Sequence, residues 1–264
     1  AAATATATPS ASTSPEPSPS PSTTTAAMTT LSLYFLRGEE LGVAERRVPL
    51  TSEPATAAMN ALLAGPTSAE RAAGLTSAVP SGTRLLGLSI DGTTARVDLS
   101  ARFAAGGGSL SMQARVAEVV YTLTRFSTIK SVEFMLAGGP AETLGGEGLI
   151  LDGGQTRAGW RRFEPAIFVE SPGVGAALSS PFTLSGTASV FEGSFAARLL
   201  DGAGHGIART QVQASAGAPG RGRFRESVAF STVATSGTLV VFSVSMEDGS
   251  RQDVMRIPVT FAQK

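Results

Sequence analysis

The sequence predicts an α+β domain followed by a β-sandwich, and three observations carry that prediction. Between residues 31 and 140, strand-like and helix-like hydrophobic patterns alternate. From Ala166 onwards, short apolar runs follow one another at regular spacing with Gly/Pro turns between them. Ahead of both lies a stretch too poor in apolar side chains to join a core. Of its first 30 residues, 28 are Ala, Thr, Ser or Pro. Such a composition cannot offset its ordering entropy by burial, so residues 1–30 read as a disordered tether.

Leu31 to Leu36 reads as a strand by its apolar and aromatic content, and Arg46 to Leu50 as a second, short one. A helix is expected from residue 54 to 64, capped by Thr51 or Ser52, with Met59, Leu62 and Leu63 on one face and Gly65-Pro66 as its stop. Arg84 to Ile90 and Thr94 to Leu99 flank Asp91-Gly92, a favoured pair for a tight hairpin, and should run antiparallel. A second helix is expected from 109 to 126, capped by Ser109, with Leu110, Val116, Val119, Val120, Leu123 and Phe126 as its apolar stripe. Val132 to Leu136 reads as a buried strand. The predicted αββαβ core packs two helices on one side of a small mixed sheet.

Residues 141–165 read as a connector, and 166–264 as the sandwich of about 100 residues. Its expected strands are Ala166–Glu170, Phe182–Gly186, Ala188–Phe191, Phe195–Leu200, Ile207–Ala214, Arg223–Phe230, Thr238–Ser245 and Asp253–Phe261.

The chain of 264 residues has no cysteine and one histidine, His205. That excludes disulfides, thiolate nucleophiles, Cys-ligated zinc, iron–sulfur centres and multi-histidine metal sites. Its 21 basic and 21 acidic side chains cancel, which argues against a general nucleic-acid binder. By region the charge is −1 over residues 31–160 and +2 over 161–264, a small asymmetry. No nucleophile elbow, phosphate-binding loop, zincin motif or calcium loop occurs. Gly202 to Gly206 alternates glycine but joins two strands instead of opening a helix, so it reads as a hairpin loop carrying an exposed His205. No carboxylate pair stands out. The expectation is therefore no catalytic residue, no cofactor and no metal.

Two groups of residues are candidates for binding. Arg221, Arg223 and Arg225 alternate, so on a strand they share one face as a basic stripe, suited to an anionic polymer, a lipid or a partner's carboxylates, or else to protecting a strand end. Trp160 with Arg161 and Arg162 lies where the two domains meet, either as an interaction anchor or as packing between the domains.

Leu62-Leu63-Ala64-Gly65-Pro66, Val79 to Leu86, and Ala95-Arg96-Val97-Asp98-Leu99-Ser100 with Phe103 together resemble the GerMN domain of sporulation and spore germination. Ala117 to Phe126 and Val132-Glu133-Phe134 continue the likeness. The second half resembles the immunoglobulin-like germination domain through Val169 to Pro172, Ser185 to Ala188, Val190-Phe191-Glu192, Met246 to Gly249 and Ile257-Pro258-Val259. The resemblance implies an exported, extracytoplasmic bacterial envelope protein, frequently a lipoprotein, without assigned activity or cofactor. It further implies an αββαβ unit related to modules that stack laterally into rings. Lipidated relatives carry a cysteine at the mature N-terminus and this sequence has none, so the resemblance implies either an anchor upstream of residue 1 or a protein that is not lipidated. The expected function is a non-catalytic scaffold or protein-interaction module, self-associating or bound to envelope proteins. The alternative is a cell-wall glycan or anionic-polymer binding module, and a third reading is a hydrolase of unknown type. No nucleic-acid partner and no transmembrane segment are expected.

Overall fold

The computed structural model describes residues 1–5, 27–145 and 148–262. The tether expectation falls mostly on residues outside these; its last part, Met28 to Thr30, belongs to the first strand.

Strands β1 (Met28–Arg37) and β2 (Glu40–Pro49) form a ten-pair antiparallel hairpin. β1 is longer than its apolar run because backbone pairing continues back to Met28, ahead of its first buried side chain, Leu31. The second strand begins at Glu40, whereas the sequence signal starts at Arg46, and Leu41, Val43 and Ala44 are buried. Gly38, at φ +65°, makes the turn that a side chain would strain.

Helix α1 (Pro54–Leu63) buries Ala55, Ala58, Met59 and Leu62. Its N-cap is Glu53, with no side-chain cap; Thr51, expected to cap, instead accepts from the Glu53 N–H. A short helix α2 (Ser68–Ala72), absent from the sequence reading, starts with a complete capping box between Thr67 and Glu70. Strands β3 (Leu85–Asp91) and β4 (Thr94–Leu99) pair antiparallel around Gly92 and Thr93.

Helix α3 (Ser109–Leu123) is capped by the backbone of Gly108, and the Ser109 side chain makes no cap bond. Leu110, expected on the buried stripe, is exposed, whereas Val116, Val119, Val120 and Leu123 are fully buried. Strand β5 (Ser131–Leu136) runs parallel to β4, which makes the sheet mixed, and β6 (Gly139–Pro140) closes its far edge.

The segment expected as a connector is structured. It holds the ribbon β7 (Thr143–Leu144) and β8 (Leu149–Ile150), followed by a 3-10 turn over Arg157–Phe163 that buries Trp160 and Phe163.

The second half is a two-sheet sandwich. Strands β9 (Ile167–Ser171), β11 (Phe182–Ala188) and β14 (Gly222–Val228) make one sheet in the order β14-β11-β9. The other, in the order β10-β16-β15-β12-β13, contains β10 (Ala177–Leu178), β12 (Ser194–Asp201), β13 (Gly206–Gln213), β15 (Ser236–Val244) and β16 (Arg251–Phe261). Residues 188–191 are not a separate strand: β11 ends at Ala188, and Glu192 at φ +51° turns the chain. Phe195 and Phe224 meet edge-to-face at 4.9 Å between the sheets.

One apolar cluster runs through both halves. At their junction β2 borrows a partner from the sandwich: Glu45 N–H donates to Val174 O and Val174 N–H to Val43 O, both at 2.8 Å. Gly173 fits there because a Cβ would stand 2.9 Å from the Val43 carbonyl oxygen.

Candidate functional site

The seam between the halves carries a network of linked tyrosine, arginine and glutamate side chains. Tyr34 enters it from β1, inside the apolar run Leu33-Tyr34-Phe35, and Tyr121 from the buried face of α3. Their rings lie 5.6 Å apart, each edge-on to Phe168 of β9 at about 6 Å. Arg157 of the 3-10 turn lays its guanidinium over both tyrosines, at 5.1 and 4.7 Å. Such stacking compensates a cation for lost water.

A β-bulge supplies the counter-charge. Along β11 one step from Ser185 to Gly186 spans two steps on β9, from Ser171 to Val169, so Glu170 is the extra residue. An unpaired bulge residue is turned away from the ladder. Glu170 accepts there from the Tyr34 hydroxyl at 2.6 Å and from Arg157 Nη1 at 2.5 Å. Arg157 also donates from Nε to Thr124 Oγ1 at 2.8 Å and from Nη2 to the Tyr121 carbonyl at 3.1 Å. A parallel arrangement sits beside it: the Tyr121 hydroxyl donates to Glu164 at 2.6 Å, and Arg221 pairs with the same carboxylate at 3.0 Å. Arg221 further donates to Thr187 Oγ1 and to the Pro165 carbonyl.

The ionisation states follow. Burial pushes both tyrosine hydroxyls up, and the neighbouring carboxylates push the same way, so both stay protonated as donors. Burial would raise Glu170, but Arg157, the Tyr34 hydroxyl and Arg125 outweigh it and hold the carboxyl below its ordinary value. Burial likewise opposes the Arg157 charge, yet Tyr34 and Glu170 more than compensate.

Above this network opens a cleft of about 670 Å³. One wall is the outer face of β11 and β14, where the register sets Arg223 opposite Thr187 and Arg225 opposite Ser185. The other is the end of α3 and the 3-10 turn, with Arg125, Arg157 and Arg161. Among the described residues, six arginines line the cleft, with Glu164 and Glu170 to balance them. Both acids are already paired, with Arg221 and Arg157. Among the described residues, Arg125, Arg161, Arg223 and Arg225 have no ion-pair partner.

Of the residues singled out in the sequence, Arg161, Arg221, Arg223 and Arg225 come together here. Trp160 does not: it is 6% exposed, in the core, and its indole N–H has no hydrogen-bond partner among the described residues. Its large apolar ring gains more inside than at a surface, which removes it as an exposed anchor. Arg162 stands outside the cleft with its guanidinium over the Phe163 ring at 4.7 Å. His205 is exposed on the β12–β13 loop beside Asp201, with Nδ1 3.2 Å from Oδ2. Sequence reasoning missed Arg125, Arg157, Tyr34, Tyr121, Glu164 and Glu170; the one available signal was that the chain's only two tyrosines sit on otherwise apolar faces.

The fold is thus a mixed α+β domain joined through a shared core to an immunoglobulin-like sandwich. Residues 32–142 match the family model described as sporulation and spore germination, and residues 166–250 the one described as the immunoglobulin-like domain of bacterial spore germination. The chain is a GerMN domain followed by a germination-type immunoglobulin-like domain. Neither family description names an enzyme. Among solved structures, the first GerMN domain of the sporulation protein GerM from Bacillus subtilis is similar at 22% identity and TM-score 0.41, over 49% of this chain and 98% of that one. The tandem GerMN domains of the same protein are similar at 16% identity and TM-score 0.45, over 77% of this chain and 62% of theirs. The assignment rests on the family models. No curated protein matches the sequence. Among the described residues no helix is long and apolar enough to cross a membrane.

Proposed function

We propose that this chain is a non-catalytic accessory protein of the bacterial envelope that works as a scaffold, presenting fixed surfaces to envelope proteins or to further copies of itself. The observation that carries this reading is the seam: one core and one buried polar network hold both halves as a unit. A scaffold needs a fixed angle between its surfaces, and a shared core supplies it where a flexible linker would not. Export and anchoring through an N-terminal lipid belong to the same proposal. The germination-type domain pair and the Ala/Ser/Thr/Pro-rich start support them.

Light scattering on the purified protein, with cross-linking capture from envelope extracts, tests the scaffold reading. The apolar side chains Phe191 and Met246, 60% and 77% exposed, line one cleft at an end of the sandwich and are the first to replace by serine. Self-association or capture that these replacements abolish is expected. A strict monomer retaining nothing would sink the reading.

A second reading, a module binding an anionic wall polymer, is favoured by the arginine-lined cleft. Co-sedimentation with purified wall tests it, and protein left wholly in the supernatant would remove it.

A further inference from the structure

We propose that the seam cleft is a binding site for an anionic glycan strand, whose phosphate or carboxylate groups are gripped by arginines from both domains at once. This deepens the second reading above and rests on it. The first support is charge. The chain as a whole is neutral, yet six arginines face this one cleft with two acids to balance them, and those acids are engaged by Arg157 and Arg221. The four remaining guanidinium groups come from three separate places: Arg125 at the end of α3, Arg161 on the 3-10 turn, and Arg223 and Arg225 on β14. Like charges gathered on opposite walls repel one another, and an anion between them relieves that repulsion. Guanidinium forks also match phosphate and carboxylate oxygens two at a time.

The second support is preorganisation. Arg157 and Arg221 are tied down by protein groups on several sides: Thr124, Glu170, the Tyr34 hydroxyl and the Tyr121 carbonyl for one, Glu164, Thr187 and the Pro165 carbonyl for the other. They fix the floor on which the four arginines without an ion pair stand, so less freedom is lost when a ligand binds. Ser185 and Thr187, paired with Arg225 and Arg223 across the two strands, set hydroxyls beside the charges, where sugar hydroxyls could be met.

What the cleft lacks selects among polyanions. Phe224 is buried and Trp160 lies in the core, so among the described residues no exposed aromatic ring lines the cleft for a nucleobase to stack on. Among the described residues none of the exposed large apolar side chains lines it either, and an amphipathic membrane-surface site would need them. A hydrophilic, negatively charged strand fits the remaining chemistry.

The test uses the full chain, with soluble phosphomannan and polygalacturonate as the phosphate and carboxylate probes, neutral dextran as control, and phosphatidylglycerol vesicles as the lipid arm. Titration calorimetry at low and raised salt is compared for wild type, Arg223→Gln/Arg225→Gln, Arg125→Gln/Arg161→Gln, and the off-site pair Arg209→Gln/Arg256→Gln. All these side chains are exposed, so thermal unfolding should be the same in each. The expected result is binding of one or both polyanions, weakened by salt, reduced at least roughly tenfold by either cleft pair and unchanged in the off-site pair. Wild-type binding that survives in both cleft pairs overturns this site while leaving the polymer reading in place. No binding to either polyanion overturns both. Tighter binding to the vesicles than to the soluble strands overturns the glycan assignment in favour of a lipid surface.

Discussion

The Tyr34 hydroxyl donates to Glu170 across 136 residues of chain, at 2.6 Å, and so couples the first strand of one domain to the first strand of the other. Removing that hydroxyl in Tyr34→Phe deletes a hydrogen bond to a charged group and should cost about 1–2 kcal/mol in urea unfolding. Arg157→Met is harsher, since it leaves Glu170 half-enclosed without its cation, and about 3 kcal/mol is expected. Because the core is shared, the wild type should unfold in one transition. Arg157→Met should split or broaden it, and two probes, one in each domain, would show whether the halves still melt together.

The acid and alkaline limits of stability should have different owners. Burial pushes the Glu118 carboxyl, fully enclosed on α3, from 4.5 up to about 8, although Ser77 Oγ, the Ala78 N–H and Arg115 partly oppose it. Between those values the unfolded chain has released a proton that the folded chain keeps, so stability falls as pH rises through that window. Glu118→Gln keeps the bond from Ala78 and removes the titration; its stability should stay level while wild type loses on the order of 5 kcal/mol. Equal pH slopes in the two proteins would refute this assignment.

On the acid side the sign reverses. Burial would raise Glu70, but bonds from Arg46 and Thr67 leave its carboxyl below the ordinary value, as Arg157 does for Glu170. The unfolded chain therefore takes up protons first as pH falls, and stability should drop below the usual carboxylate range. Denaturation midpoints of Glu70→Gln measured down the pH scale should show a shallower acid decline than wild type, from a lower starting value.

Thr67→Ala tests the cap of α2. Thr67 Oγ1 accepts from the Glu70 N–H, and the Glu70 carboxylate accepts from the Thr67 N–H. Losing the hydroxyl should cost about 1 kcal/mol. A larger loss would mean that Glu70 has also released Arg46, which it holds at 2.6 Å.

Gly186→Ala tests the bulge that aims Glu170. A Cβ at Gly186 would stand 1.9 Å from the Phe168 carbonyl oxygen and 2.9 Å from the Phe224 ring, so β9 or β11 must shift. About 3 kcal/mol of destabilisation is expected, with the Glu170–Arg157 contact disturbed. A stability matching wild type would show that the two strands have room to part.

Local pattern determined much of this protein. The periods of 2 and 3.6 residues marked β3, β4, α3, β5 and most strands of the sandwich, because half-buried elements write their geometry into the spacing of apolar side chains. Arg223 and Arg225 could be seen to share a face for the same reason. Pattern failed where backbone pairing outran burial, as at the start of β1, where a buried run was broken by a glycine, as Gly42 breaks Leu41 from Val43 and Ala44 in β2, and where a short helix depended on its capping box, as in α2. Only the tertiary structure decided the site. Tyr34, Tyr121, Arg157, Glu164, Glu170 and Arg221 are spread over 188 residues, and nothing in their spacing connects them. They meet because a bulge turns one carboxylate inward and the 3-10 turn lays one guanidinium across two rings. The same packing drew Trp160 inside and left Arg161 outside, since an indole gains by leaving water and a guanidinium without a counter-charge does not.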